Sequence, residues 1–176
     1  MRYIALLRAI NVGGNRIVKM EALRQMLAEL GLTEISSYIQ SGNVSFEAPD
    51  SDPEALARRI EAHLQQATGF AIPTTLRTPA ELAEINQELP PAGADERLNI
   101  HFLGGPHDPA AGERLQALAQ EGLSLWLRPR ELILLTRRDL ADKRLASGNW
   151  LEKQLGTWLT ARNANTVRKL YQLVSE

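Results

Sequence analysis

The sequence has no cysteine, and aromatic side chains make up only 5% of its 176 residues. The absence of cysteine excludes disulfides, a thiolate nucleophile and the common cysteine-based structural zinc sites. So few aromatic residues weaken the case for a surface that stacks on nucleic-acid bases. There is also no long apolar run, because Arg8 interrupts the N-terminal one before it is long enough for a signal peptide or a membrane span. We therefore expect a cytoplasmic protein that makes no contact with membranes.

Charge is unevenly distributed along a chain whose formal net charge is only −1. Residues 47–121 contain 5 basic and 13 acidic side chains, whereas residues 128–169 contain 10 basic and 4 acidic ones. The basic surplus in the C-terminal part favours an anionic partner. A basic face that is merely solvated is the alternative. The hydrophobic content of 44% is typical of a globular protein with a real core.

The first part of the sequence predicts the order β-α-β-β-α-β. Tyr3–Ile10 has the composition and length of a strand, and apolar residues recur at helical spacing from Met20 to Leu30. Ser41-Gly42-Asn43 is typical of a hairpin turn. Pro73 places the fourth strand at a sheet edge, because proline cannot donate to a strand ladder. The second helix should begin at Asp52-Pro53 and bury one face, formed by Leu56, Ile60, Leu64 and Ala67.

The second part repeats this plan after a helical connection that opens with the capping box Thr78-Pro79-Ala80-Glu81. The chain ends in a predicted helix over Asn165–Val174, which Asn165 is placed to cap. We therefore predict an α+β protein of two ferredoxin-like (βαββαβ) subdomains with mainly antiparallel sheets and a C-terminal helix. The predicted boundaries are residues 1–78, 79–95 and 96–176.

Adjacent glycines after the first strand give the strongest indication of a site. Gly13 and Gly14 let the backbone approach a ligand, and Asn15, Arg16 and Lys19 add hydrogen-bond donors shortly before a predicted helix N-terminus. An anion is the ligand that such a group suits. The alternative is a tight turn in which glycine supplies positive φ angles and binds nothing.

Two further polar clusters stand at predicted turns or strand ends. The hairpin contains Gln40, Ser41, Gly42 and Asn43, a group that turn formation alone would explain. The segment from Thr160 to Lys169 combines basic side chains with carboxamides. Binding residues usually lie at such loop positions, so we predict that the three clusters converge on one site.

Three stretches, "LLRAINVGGN", "IQSGNVSF" and "TARNANTVRKL", resemble an uncharacterised bacterial family, domain of unknown function 1697. The resemblance covers nearly the whole chain and implies an α+β fold of two ferredoxin-like subdomains in a bacterial cytoplasmic protein. It implies no activity, substrate or cofactor. This chain has Ala164 where the family often has an aromatic residue. The residues at the matching motifs, with Asn15, form our predicted ligand site: Arg8, Asn11, Gly13, Gly14, Lys19, Gln40, Ser41, Gly42, Asn43, Arg162, Asn163, Asn165 and Lys169, together with Thr166.

No catalytic or metal-binding constellation accompanies these clusters. His63, His101 and His107 have no spacing that makes a metal site, and the carboxylates Asp139 and Asp142 lie among arginines as expected of local ion pairs. The first functional hypothesis is a protein that binds or acts on a small anionic or phosphorylated ligand at the Gly13-Gly14 loop. The alternatives are an RNA-binding protein that uses the basic C-terminal half, and a protein-interaction module that pairs through a sheet edge.

Overall fold

The structure is a computed structural model that describes residues 1–49 and 52–175. The chain divides into two compact units: unit 1 comprises Met1–Gln87 and the residues from Lys169 onward, and unit 2 comprises Glu88–Arg168. The strands are β1 (Arg2–Leu7), β2 (Thr33–Tyr38), β3 (Asn43–Glu47), β4 (Thr74–Arg77), β5 (Glu96–Leu103), β6 (Leu123–Leu127), β7 (Glu131–Arg137) and β8 (Leu159–Asn163). The α-helices are α1 (Met20–Glu29), α2 (Pro53–Thr68), α3 (Pro79–Glu88), α4 (Ala111–Gln116), α5 (Gly148–Leu155) and α6 (Ala164–Ser175).

Each unit contains a four-stranded antiparallel sheet of the same topology. The order is β2-β3-β1-β4 in unit 1 and β6-β7-β5-β8 in unit 2. The first strand of each unit is therefore central, and its isoleucine occupies an equivalent position: Ile4 pairs with Ser45 and Arg77, and Ile100 pairs with Ile133 and Arg162. The prediction of two ferredoxin-like subdomains is confirmed.

Local sequence signals position the helices as predicted. Asp52 accepts a hydrogen bond from Glu54 N–H at 3.0 Å and caps α2, which ends at Gly69 in the left-handed conformation. At the start of α3, Glu81 Oε2 accepts from Thr78 N–H at 2.7 Å, and Thr78 Oγ1 accepts from Glu81 N–H at 3.2 Å. This reciprocal pair is a complete capping box.

One face of each sheet packs against its own helices. In unit 1, alternate residues of β1 join the apolar faces of α1 and α2, and in unit 2 the helices α4 and α5 cover β5–β8 in the same way. Burying each leucine, isoleucine or phenylalanine contributes about 1.5–3 kcal/mol, so these layers supply much of the folding free energy. The residues at the centre of the two layers are Tyr3, Ala5, Leu7, Leu23, Leu27, Leu56, Ile60 and Leu64 in unit 1, and Leu103, Leu115, Leu132, Leu134, Leu151 and Leu155 in unit 2.

Three details differ from the sequence predictions. The first strand ends at Leu7 and not at Ile10, because the following backbone adopts left-handed φ angles that a strand cannot hold. Ala67 is exposed, so the buried face of α2 ends one turn earlier. Helix α6 is capped by Asn163 and not by Asn165, since Asn163 Oδ1 accepts from Thr166 N–H at 2.8 Å.

Candidate functional site

Gly13 and Gly14 form the tip of a tight turn in the loop that joins β1 to α1. Asn15 N–H donates to Val12 O at 3.1 Å across the turn. The φ angles of the two glycines are +61° and +75°, as a type I′ turn requires. A Cβ on either glycine would meet no atom within 4 Å. Turn geometry therefore explains both glycines, and five residues separate them from Met20, where the helix begins.

Asn11 joins this loop to the β2–β3 hairpin. Its Oδ1 accepts from Val18 N–H at 2.8 Å, and its Nδ2 donates to Val18 O at 2.9 Å and to Gln40 O at 2.8 Å. These bonds hold the two ends of the loop together and fix the hairpin turn beside it. The two N-terminal motif clusters are thus in contact, and Asn11 is the residue that connects them.

Asn43 organises the hairpin turn from within. It is fully buried, and its Nδ2 donates to Tyr38 O at 3.1 Å and to Ser41 Oγ at 2.9 Å. The neighbouring Gly42 accepts from Leu7 N–H at 2.8 Å through its carbonyl oxygen. The Asn43 amide and the Gly42 carbonyl are therefore committed to the turn and to its pairing with β1.

Substitution of Gly42 should destabilise the protein more than substitution of Gly13. The φ angle of Gly42 is +84°, and a Cβ there would lie 2.8 Å from Leu7 Cβ and 3.1 Å from Ile10 Cδ1. Backbone strain and overpacking act together, so Gly42→Ala should lower the free energy of unfolding by about 2–4 kcal/mol. Gly13→Ala has positive φ but open space, and should cost about 1 kcal/mol. Urea unfolding of both variants checks this, and equal losses would contradict it.

The cations of the β1–α1 loop differ in how they are held. Arg16 Nη1 donates to Ala71 O at 3.1 Å, and its guanidinium carbon lies 5.7 Å from the centre of the Phe70 ring. Lys19 is exposed and precedes α1 as its N-cap, where no side chain caps the helix. Arg8 is half-buried, and its backbone N–H donates to Pro73 O at 2.9 Å. Arg16 and Lys19 are thus both exposed, and Arg16 is the one held against Phe70 and Ala71.

Backbone strain is concentrated in the same part of unit 1. Among described residues other than glycine, five have positive φ, and four of them lie in the β1–α1 loop or the hairpin turn. Such conformations cost about 1–3 kcal/mol each and cluster at functional sites, where the surrounding structure imposes them. The four are Ala9, Asn11, Arg16 and Ile39, with φ between +50° and +55°.

Arg162, predicted as a ligand-binding residue, is a buried side chain of β8. Only 8% of it is exposed. Its Nη1 donates to Thr160 Oγ1 at 2.8 Å and to Ala161 O at 2.8 Å. Burial lowers the pKa of Arg162 to about 10, so the guanidinium is still charged at neutral pH. Both hydrogen bonds join the guanidinium to residues of its own strand.

The same arrangement recurs in unit 1. Arg77 is fully buried on β4, and its Nη1 donates to Thr75 Oγ1 at 2.7 Å and to Leu76 O at 2.9 Å. Strands β4 and β8 are equivalent in the two sheets, so a Thr-X-Arg triplet stands at the same place in both units. The repeat of fold therefore extends to a repeated buried arginine.

A cleft in unit 2 collects basic and carboxamide side chains from distant parts of the sequence, and we call it the arginine cleft. It has a volume of about 450 Å³, within the range of small-ligand sites. The start of β5, the residue after β7, the end of β8 and the first turns of α6 form it. Its polar side chains are Arg97, Arg138, Arg168, Asn99, Asn163, Asn165 and Glu96.

Several bonds fix the walls of the arginine cleft. Arg138 Nε donates to Ala94 O at 3.2 Å, and Arg168 Nη1 donates to Asn165 Oδ1 at 3.2 Å. Glu96, the one acidic lining residue, accepts from Gly93 N–H at 2.8 Å. Three arginines against one carboxylate, beside the positive N-terminal end of α6, make the cleft electropositive.

Sequence reasoning found Asn163 and Asn165 but missed Arg97, Asn99, Arg138 and Arg168. The basic surplus of residues 128–169 pointed to Arg138 and Arg168 only as members of a charged segment. Arg97 lies outside that segment, on a strand, and nothing in its neighbourhood distinguishes it from a surface arginine. The topology of the sheet, which places β5 between β7 and β8, brings these residues together.

Comparisons with known proteins agree with the fold. The model of a family described as "Protein of unknown function (DUF1697)" matches residues 1–132, three quarters of the chain. The chain belongs to this family. The matched region includes the glycine turn, the hairpin and Arg97 of this DUF1697 member, and it ends within β7.

A solved structure is similar over nearly the whole chain. It is the conserved bacterial protein SP0830 from Streptococcus pneumoniae, which is 25% identical, has a TM-score of 0.78 and is matched over 98% of both chains. None of the functionally curated proteins matches the sequence. The family and this neighbour thus fix the fold and assign no activity.

The predicted site residues fall in both units. The group from Arg8 to Asn43 lies in unit 1, and Arg162, Asn163 and Asn165 lie in unit 2. Their convergence on one site stays a prediction, as does a cytoplasmic location. Within residues 1–49 and 52–175, no helix has the length and apolarity needed to cross a membrane. No three His, Cys, Asp or Glu side chains of these residues are grouped to hold a metal ion.

Proposed function

We propose that this protein binds a small anionic ligand, one that carries a phosphate or carboxylate group, in the arginine cleft of unit 2. The observation that carries the proposal is the convergence of Arg97, Arg138 and Arg168 on one cleft with a single carboxylate. Arginine offers a planar set of donors that matches phosphate and carboxylate oxygens. The first turn of α6, where Asn163 already accepts from Thr166 N–H, adds a partial positive charge.

A small ligand fits this cleft better than a nucleic acid. Single-stranded nucleic acids bind to basic grooves in which exposed aromatic side chains stack on the bases. In the described part of the chain Trp126 is the one exposed aromatic side chain, and it does not line the cleft. An open cleft of about 450 Å³ with several donors on its walls suits one anionic group and its immediate substituents.

The Gly13-Gly14 loop is the second location for an anion. Lys19 is exposed there beside an uncapped helix N-terminus, which favours negative charge. Its glycines are already explained by the turn, and Arg16 is engaged with Phe70 and Ala71. The arginine cleft has more cations and a defined volume, so we place the ligand there.

Inorganic phosphate should stabilise the folded protein. A ligand that binds only the native state stabilises it by about 2.7 kcal/mol at 100 times its Kd, which raises Tm by several degrees in a chain of this size. The measurement is thermal unfolding in sodium phosphate against sodium chloride of equal ionic strength. Arg97→Gln and Arg168→Gln should each weaken phosphate binding about fivefold or more.

Control variants show which part of the protein binds the phosphate. Arg59→Gln removes the same charge from an exposed position on α2, and should leave the phosphate effect intact. Lys19→Ala tests the glycine loop. A phosphate effect that Lys19→Ala abolishes and Arg97→Gln leaves unchanged would move the site to that loop. No stabilisation by phosphate in the wild type would refute anion binding.

A further inference from the structure

A second cavity adjoins the arginine cleft in unit 2, and we call it the His101 cavity. It has a volume of about 320 Å³ and lies between the sheet and the segment that joins β7 to α5. Its wall includes Arg97, Asn99 and Arg138, which also line the arginine cleft. The two spaces are therefore neighbours that share three polar side chains.

His101 is the unusual group in this cavity. It stands on the central strand β5, it is only 7% exposed, and its Nδ1 is a buried nitrogen. In the described part of the chain no hydrogen-bond partner reaches this nitrogen. A buried polar atom without a partner is costly and rare, so it calls for an explanation such as a ligand.

The surroundings define the kind of group that would meet His101. Burial lowers the pKa of His101 to about 4, so the imidazole is neutral at pH 7. The apolar part of the cavity wall includes Leu134, Leu140 and Leu145. Charged side chains also line the cavity, but a neutral imidazole beside these leucines suits an uncharged, flat part of a ligand that forms one hydrogen bond and otherwise makes apolar contacts.

Two other charged lining residues, Arg137 and Asp142, are paired with residues outside the lining, and the third, Lys143, is exposed. Arg137 Nε donates to Asp139 at 2.5 Å, and Asp142 accepts from Arg144 Nη2 at 2.6 Å. The shared Arg97 and Arg138 lie toward the arginine cleft. A ligand that fills both spaces would thus have its anionic end at the shared arginines and its neutral end at His101.

We propose that the ligand of this protein is a phosphate ester of a neutral heterocycle, such as a nucleoside monophosphate, with the phosphate in the arginine cleft and the heterocycle in the His101 cavity. This inference rests on the proposed function, because it extends the anion site into the adjoining space. His101 forms the hydrogen bond that selects the heterocycle. Arg97 and Arg138 stand between the two parts of the ligand.

The test compares ligands that contain one or both parts. Isothermal titration at pH 7 measures the binding of inorganic phosphate, ribose 5-phosphate, the four common nucleoside monophosphates and their nucleosides to the full chain. At least one nucleotide should bind about tenfold or more tightly than phosphate and ribose 5-phosphate. His101→Leu should remove that gain and leave phosphate affinity unchanged, whereas His107→Leu, a histidine in a loop outside both spaces, should change neither.

The outcomes separate this inference from the proposed function. If phosphate binds and every nucleotide binds no more tightly, or if His101→Leu leaves nucleotide affinity unchanged, the inference is wrong and anion binding stands. If a nucleoside binds as tightly as its nucleotide and Arg97→Gln has no effect on either, the proposed function is wrong. Proton shifts of the His101 ring in NMR spectra during each titration provide a readout that does not depend on affinity.

Discussion

Arg77→Ala is expected to lower the free energy of unfolding by about 3–5 kcal/mol. The substitution empties a fully buried position and deprives Thr75 Oγ1 and Leu76 O of a donor. One effect acts in the opposite direction, because removal of the guanidinium also relieves the cost of burying its charge. Truncation of so large a side chain leaves a cavity and removes two hydrogen bonds, so we expect destabilisation to dominate.

Two companion variants test this balance. Arg77→Met fills most of the space without a charge. It should therefore lower the free energy of unfolding by about 1–2 kcal/mol less than Arg77→Ala, because most of the buried side-chain volume is kept. Arg162→Ala should match Arg77→Ala in size because the same pair of bonds is lost in unit 2. Urea unfolding followed by circular dichroism measures all three. A change within about 0.5 kcal/mol for Arg77→Ala, typical of a surface position, would contradict the prediction.

The equivalent arginines also bear on what the sequence could predict. The repeat of element order was visible from apolar periodicity and turn residues, since these depend on neighbours in the chain. The Thr-X-Arg repeat was present in the letters, at Thr75-Leu76-Arg77 and Thr160-Ala161-Arg162. Its meaning depended on knowing that both triplets lie on the edge strand beside the central one, with their threonine and arginine buried. Burial of a charged side chain has no local signature.

The glycines illustrate how one pattern can have different physical causes. Gly13-Gly14 and Gly104-Gly105 are the same dipeptide at the same place, after the first strand of each unit. Gly13 and Gly14 have positive φ in open space. Gly104 has ordinary φ, and a Cβ there would lie within 1.9 Å of Trp158 Cε2, so glycine is needed for close packing of the indole. Sequence spacing could not separate these two requirements.

The candidate site was predictable only in part for a related reason. Asn163 and Asn165 were recognised because they follow one another in a polar segment. Arg97 lies on β5 and Arg138 directly follows β7, and only the pairing of these two strands brings their backbones together, with Arg97 opposite Thr136. Ligand sites on sheets are assembled across strands, so their residues are rarely adjacent in the chain. A basic side chain on a strand looks the same in sequence whether it lines a cleft or faces solvent.

Acidification should destabilise the wild type through His101 in a defined pH window. The pKa of His101 is about 4 in the folded protein and 6.5 in an unfolded chain. Between these values the unfolded state binds a proton that the folded state does not. The free energy of unfolding should therefore be unaffected by His101 above pH 6.5 and fall as the pH decreases toward 4, by about 3 kcal/mol in total.

The measurement is the difference between wild type and His101→Leu in urea unfolding at intervals from pH 4 to 7.5. The variant lacks the titrating group, so the wild type should lose about 3 kcal/mol relative to it as the pH falls. The pKa of Asp142, lowered to about 2 by its hydrogen bonds with Arg144, places the titration of that carboxyl below this window. His107→Leu controls for loss of an ordinary histidine. A constant difference between wild type and His101→Leu over the whole range would mean that the imidazole accepts its proton within the fold as readily as in the unfolded chain, and would contradict the prediction.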